Sequence, residues 1–178
     1  MHIELMREKA SVFPLVETPL AVRSACIWHC NYKSLASLSA FSNLQTLVVA
    51  NWLDTSFDAL EGLDYLRYLS VLHFPHASDL SPLGGLHRLE VLRLSSLPSW
   101  DASGKVLNVL SLAPIALLPN LQHLELFGVC PPDRLLPFES RSLKSARFSK
   151  YPQTEVARFY ERTGTANAYA PEPAYDVA

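Results

Sequence analysis

Two short runs bring metal-ligating and proton-transferring side chains close together in the sequence: His73-Phe-Pro-His76-Ala-Ser-Asp79 and Cys26-Ile-Trp-His29-Cys30. Two imidazoles and a carboxylate could hold a metal ion or relay a proton, so His73, His76 and Asp79 are the residues a metal-dependent enzyme or metal-binding protein would use here. Pro75 places that run in a loop, where a solvated turn capped by Asp79 is the simpler reading. Thiolates and imidazole are zinc ligands, but no second ligand pair follows Cys26, His29 and Cys30 at zinc-site spacing, which leaves them as structural residues. Ser103-Gly104-Lys105 lacks the remainder of a phosphate loop, and no GxSxG, GxGxxG or HExxH run occurs. No catalytic residue, metal or cofactor is assigned, and the chain reads as a non-enzyme.

The elements that position these residues follow from a repeat. A block of the form apolar-x-x-apolar-x-apolar starts at Val22, Leu44, Leu66, Leu89, Leu121 and Leu143, at separations of 22, 22, 23, 32 and 22 residues. All 18 framework positions are apolar in a chain that is 49% hydrophobic, a coincidence on the order of one in a few hundred thousand by chance. A fixed period of this length means stacked supersecondary units. The fourth and sixth block positions point into a core, and the third, fifth and seventh, of opposite parity, share the other sheet face. Equivalent strands of successive units run parallel, so each unit needs a return crossover. The pairs Leu38/Phe41, Leu60/Leu63, Leu83/Leu86 and Ile115/Leu118 supply its apolar stripe at helical or 3₁₀ spacing. Asp54-Thr55-Ser56 and Ser78-Asp79 are placed to cap two of these segments, and Pro82 suits a first turn.

The run SDLSPLGGLHRLEVLRLSS, residues 78–96, resembles the leucine-rich repeat proteins, in the short 22-residue subclass of internalins and phosphatase-regulatory subunits. The resemblance spans Val22 to Phe148 and implies an α/β, right-handed solenoid. Six parallel strands would line its concave face and short helical or 3₁₀ segments its convex face, and such folds bind other proteins without catalysis. Two features depart from the family pattern. The ninth block position, where the family places a turn-capping Asn, holds Cys30, Trp52, Phe74, Leu97, Val129 and Tyr151, which predicts irregular turns with a larger apolar share. The 32-residue unit carries an insertion near residues 98–108, and insertions in solenoids become contact-bearing loops.

The expected organisation is a single domain, 1–178: an N-terminal cap over 1–21, repeats over 22–150, a C-terminal capping helix within 151–164 and a tail over 165–178. In the helix, Thr154 to Thr163, Val156, Phe159 and Tyr160 share a face, and Gly164 suits a left-handed stop. Cys30 and Cys130 would lie four coils, about 19 Å, apart, too far for a disulfide.

Fifteen Lys plus Arg against seventeen Asp plus Glu leave a formal charge of −2, with no basic block to suit nucleic acid or an anionic membrane. An odd cysteine count of three and no apolar run near the start point to a reducing, cytoplasmic setting. The partner is expected to be a protein, met by a chain that is a monomer when unbound. On the water-facing sheet surface the parity argument places Trp28, Tyr68, Leu72, Arg93, Glu125, Phe127 and Arg147. Trp100 on the inserted loop adds an auxiliary contact. Arg93, Glu125 and Arg147 fall in one column, a solvated charge ladder unless something covers it. By analogy, such a module serves as an inhibitor, including a bacterial toxin-neutralising (immunity) protein, or as an adaptor.

Overall fold

The structure, a computed structural model, describes residues 1–96, 105–139 and 142–175. Its main sheet opens with His2–Met6 (β1). The third to seventh residues of successive blocks follow as Ser24–Trp28 (β2), Thr46–Ala50 (β3), Tyr68–Leu72 (β4) and Val91–Ser95 (β5). After a two-residue strand Leu107–Asn108 (β6) come His123–Phe127 (β7), Val129–Cys130 (β8) and Ser145–Ser149 (β9). The main sheet has the order β1-β2-β3-β4-β5-β7-β9 with every pairing parallel, and β6 and β8 form a separate parallel pair. Seven strands, not six, therefore make the sheet. The extra one is β1, which pairs Ile3 with Ala25 and Leu5 with Ile27 and so carries the last two framework positions of a further block.

Parity decides what is buried. Ala25, Ile27, Leu47, Val49, Leu69, Val71, Leu92, Leu94, Leu124 and Leu126 all face the core, each essentially without solvent exposure. Opposite them the return segments are 3₁₀ turns at Ala36–Ala40, Asp58–Leu60 and Ser81–Gly85, then a four-residue α-helix, Ala113–Ala116 (α1). Leu38, Leu60, Leu83 and Ile115 project inward from them and are fully buried. One coil cannot cover both its sides, so stability comes from stacking. The first coil is covered by β1 and by Phe13, whose ring packs on Tyr32 at 5.2 Å and Phe41 at 6.1 Å. The last is covered by Gln153–Thr163 (α2), which begins one residue earlier than expected and packs Phe159 against Phe148 at 4.9 Å. Gly164 closes α2 in the left-handed conformation, φ 68°.

The turns leaving β1 to β4, β7 and β9 share one conformation, contrary to the expectation drawn from the missing Asn. Arg7, His29, Asn51, His73, Gly128 and Lys150, each the residue after its strand, all have φ between 53° and 74°. Five of these six amides donate to the neighbouring coil, among them His29 N–H to Ala50 O at 3.2 Å, Asn51 to Leu72 O at 2.9 Å and His73 to Ser95 O at 2.7 Å. The ninth position supplies packing and its own hydrogen bonds. Trp52 stacks on Phe57 at 5.0 Å and Phe57 on Phe74 at 5.5 Å, while Trp52 Nε1–H donates to Ser56 O at 2.9 Å. The Cys30 thiol donates to Leu5 O at 3.4 Å and the Tyr151 hydroxyl to Val129 O at 2.7 Å.

Of the two expected caps, Asp79 accepts from Ser81 N–H at 2.8 Å, in its own segment. Asp54 reaches back a coil instead, accepting from Leu35 N–H at 2.8 Å and from the Ser34 hydroxyl at 2.6 Å.

Candidate functional site: the outer face of the sheet

The parallel register sorts the outer face into three rows. The entry row is His2, Ser24, Thr46, Tyr68, Val91, His123 and Ser145; the middle row is Glu4, Cys26, Val48, Ser70, Arg93, Glu125 and Arg147. Met6, Trp28, Ala50, Leu72, Ser95, Phe127 and Ser149 form the exit row. Neighbours within a row sit about 4.8 Å apart.

The chain's own C-terminal segment lies across this face. Ala166 joins the sheet edge beside β9, its N–H donating to Lys144 O and its carbonyl accepting from Ala146 N–H, both at 3.0 Å. The segment then crosses the strands in reverse order. Tyr169 places its ring 3.7 Å from Arg147 Cζ above β9, and Ala170 N–H donates to Glu125 Oε1 at 2.9 Å above β7. Glu172 comes within 3.9 Å of Arg93 on β5, and the Ala174 carbonyl accepts from the Thr46 hydroxyl at 3.0 Å on β3. Tyr175 packs its ring 4.6 Å from His2 and lies against the cluster that contains Cys26. Cys26, Val48, Tyr68 and Val91, all of water-facing parity, become a small buried cluster with Ala170.

Two residues expected on the exposed surface are therefore buried: Tyr68 and Glu125 are 6% and 2% exposed. The charge column is a covered network rather than a solvated ladder. Arg93 Nε–H donates to Glu125 Oε2 at 2.7 Å and Nη1–H to the Tyr68 hydroxyl at 3.1 Å. Burial opposes the charge on Arg93, but the Tyr68 hydrogen bond and the Glu125 carboxylate outweigh it and hold the guanidinium above its ordinary pKa. Burial likewise raises the Tyr68 phenol, with Arg93 pulling the other way. Arg147 lies against rings, with Cζ 5.7 Å from the Phe127 centroid in addition to Tyr169. Its Nη1 is buried without a hydrogen-bond partner among the described residues.

Beside the C-terminal segment the exit row remains open. A groove of about 460 Å³ runs there, with Trp28, Leu72 and Phe127 along the sheet and Tyr169, Glu172, Pro173 and Tyr175 as its other wall. Trp28, Leu72, Phe127, Arg93 and Arg147 are all half-buried. The structure thus brings seven of the eight expected contact residues onto one face and leaves five accessible. Trp100, with most of the insertion, lies outside the described residues. Whether the tail covers this face is left open by the sequence, because residues 165–178 have no periodicity and only the pairing of Tyr and Glu there with Arg93 and Arg147 marks them.

The histidine run does not assemble. His73 Nδ1 is 3.3 Å from Ser96 O, His76 is exposed, and Asp79 is held below the usual carboxylate range by its Ser81 hydrogen bonds. Among the described residues no group of three or more His, Cys, Asp or Glu side chains is placed to hold a metal ion. Cys26, Cys30 and Cys130 are buried free thiols, and no helix of the described residues is long and apolar enough to cross a membrane.

No protein-family model and no curated protein matches the sequence. Among solved structures, the fold is similar to that of internalin C2 from Listeria monocytogenes, with a TM-score of 0.50 and 20% identity over 84% of this chain and 71% of that one. It is similar also to internalin F of the same organism, with a TM-score of 0.50 and 18% identity over 80% of this chain and 45% of that one. Identities at this level speak to architecture alone.

Proposed function

We propose that this leucine-rich repeat solenoid, whose architecture it shares with the internalins, is a non-catalytic protein-binding module that docks its partner in the groove of its outer sheet face. One observation carries the reading. Trp28, Leu72 and Phe127, large apolar side chains, stand half-exposed in one register row beside a fixed Arg93. Aromatic and Arg groups in a partly desolvated cleft dominate interface energetics, and a row set on strands is rigid before binding.

Rigid docking acts by occlusion or by scaffolding. Our finer reading is inhibition, such as neutralisation of a bacterial toxin, with an adaptor role separated from it by whether the partner keeps its activity in the complex. The unbound chain is taken as a monomer that works in the cytoplasm without nucleic acid or membrane, in keeping with its buried thiols and formal charge of −2. Photo-crosslinking amino acids at positions 28, 72 and 127 test the proposal, with position 117, 82% exposed on the opposite side, as control. Crosslinks to one protein from the first three and none from 117 are expected; crosslinks from 117 alone contradict it.

A further inference from the structure

The segment lying on the outer face has the sequence Tyr169-Ala-Pro-Glu-Pro-Ala-Tyr175. Pro171 and Pro173 cannot donate backbone hydrogen bonds and favour an extended backbone of about 3.1 Å per residue. The five steps from Tyr169, above β9, to Ala174, on β3, thus cover roughly 16–18 Å, against about 19 Å for four strand spacings. Only an extended segment reaches all its contacts.

Those contacts are few and spaced apart. Tyr169 is 68% exposed and Glu172 86% exposed, and Pro171 and Ala174 are exposed too. Between Ala170 and Tyr175 the segment is fixed by the Arg93 charge, the Thr46 hydroxyl and the Tyr175 ring. Beneath it the sheet is complementary in kind: Arg147 takes an aromatic ring, Arg93 a carboxylate, and His2 with the Cys26 cluster a second ring six residues on. Lifting the segment would bare the apolar cluster of Cys26, Val48, Tyr68 and Val91, which needs an occupant.

We infer that residues 169–175 are a displaceable built-in ligand, and that the partner presents an extended acidic segment of the same chemistry, a carboxylate between prolines with an aromatic residue on either side, which takes their place. This deepens the docking proposal above and rests on it. The tail then sets a threshold. A tethered segment competes at an effective concentration of about 1 mM, so for a free peptide of Kd about 100 μM the full chain binds roughly tenfold more weakly than one whose tail has let go.

The test uses a fluorescent peptide with the sequence of residues 167–175 and the full-length chain, read by anisotropy. The Tyr169→Ala/Tyr175→Ala chain is expected to bind it about tenfold more tightly than the unmodified chain, and the peptide carrying Glu172→Lys, which turns a weak attraction to Arg93 into a repulsion, to bind about threefold more weakly. Should that double variant not fold, as judged by its melting transition, Glu172→Gln at an exposed position replaces it and must still bind the peptide more tightly than the unmodified chain. Equal binding by variant and unmodified chains, or equal binding of a scrambled peptide, overturns the inference. So does a concentration-dependent dimer abolished by Tyr175→Ala, which would make a second copy the occupant. Crosslinks from positions 28, 72 and 127 alongside a failed peptide would retain the groove and discard the peptide chemistry. A binding peptide with crosslinks from 117 alone would do the reverse.

Discussion

Replacing Glu125 with alanine removes a buried sheet carboxylate that holds the C-terminal segment. Glu125 is 2% exposed, pairs with Arg93 at 2.7 Å and accepts the Ala170 N–H at 2.9 Å. Breaking a fully buried pair by deleting one partner destabilises by about 3–5 kcal/mol. Arg93, however, keeps 27% of its side chain in solvent and still reaches Tyr68, so about 2 kcal/mol is the better figure for that part. The stranded Ala170 amide adds about 1–3 kcal/mol unless the tail lifts to hydrate it, which caps the total near 3–4 kcal/mol. For a chain of this length that lowers the thermal midpoint by about 6–16 °C. Glu172→Gln, at 3.9 Å and 86% exposed, should change stability by less than about 0.5 kcal/mol. Calorimetry of the two variants beside the unmodified chain provides the assay. A Glu125→Ala midpoint within about 2 °C of the unmodified chain would refute the burial of this carboxylate beneath the tail.

Three further outcomes follow from the coils. Trp52→Ala, which empties a fully buried site between strand and return segment and strands the Ser56 carbonyl, should destabilise by about 3–5 kcal/mol in urea unfolding. Gly128→Ala and Gly62→Ala both force a side chain to positive φ, at about 1–2 kcal/mol. Only at Gly128 would the new Cβ run into Ser96 Oγ, so urea midpoints should rank it clearly the worse. Burial and Lys144 hold His123 below its ordinary pKa of 6.5. The folded chain therefore takes up this proton less readily than the unfolded one. Its stabilising contribution is complete above 6.5 and is lost as pH falls through the folded value. Between about pH 7 and pH 5, His123→Gln should lose less thermal stability than the unmodified chain.

The periodic part of the molecule was legible because burial alternates residue by residue. Leu44, Leu47 and Val49 declare a strand, and Leu38 with Phe41 its return, whichever residues lie between. β1 escaped notice because only Ile3 and Leu5 of its block are present. The regular turns escaped because the sequence shows the missing Asn but not that Trp52, Phe74 and Cys30 fill the same corner by packing and by hydrogen bonds of their own. For the outer face, parity named the right residues and could not tell which stay wet. Coverage of Tyr68 and Glu125 depends on single contacts from Ala170, Glu172 and Tyr175, which follow no period and meet partners 45 positions away in the chain or more, too far apart for any local pattern to register.

Whether the C-terminal segment lies across the strands in solution is settled most directly by nuclear Overhauser contacts in the full-length chain. Cross-peaks between the Tyr169 ring and the Arg147 side chain, and between the Tyr175 and His2 rings, with a slowly exchanging Ala170 amide, are the predicted result. Random-coil shifts across residues 167–175, with no contact to any strand, would contradict it.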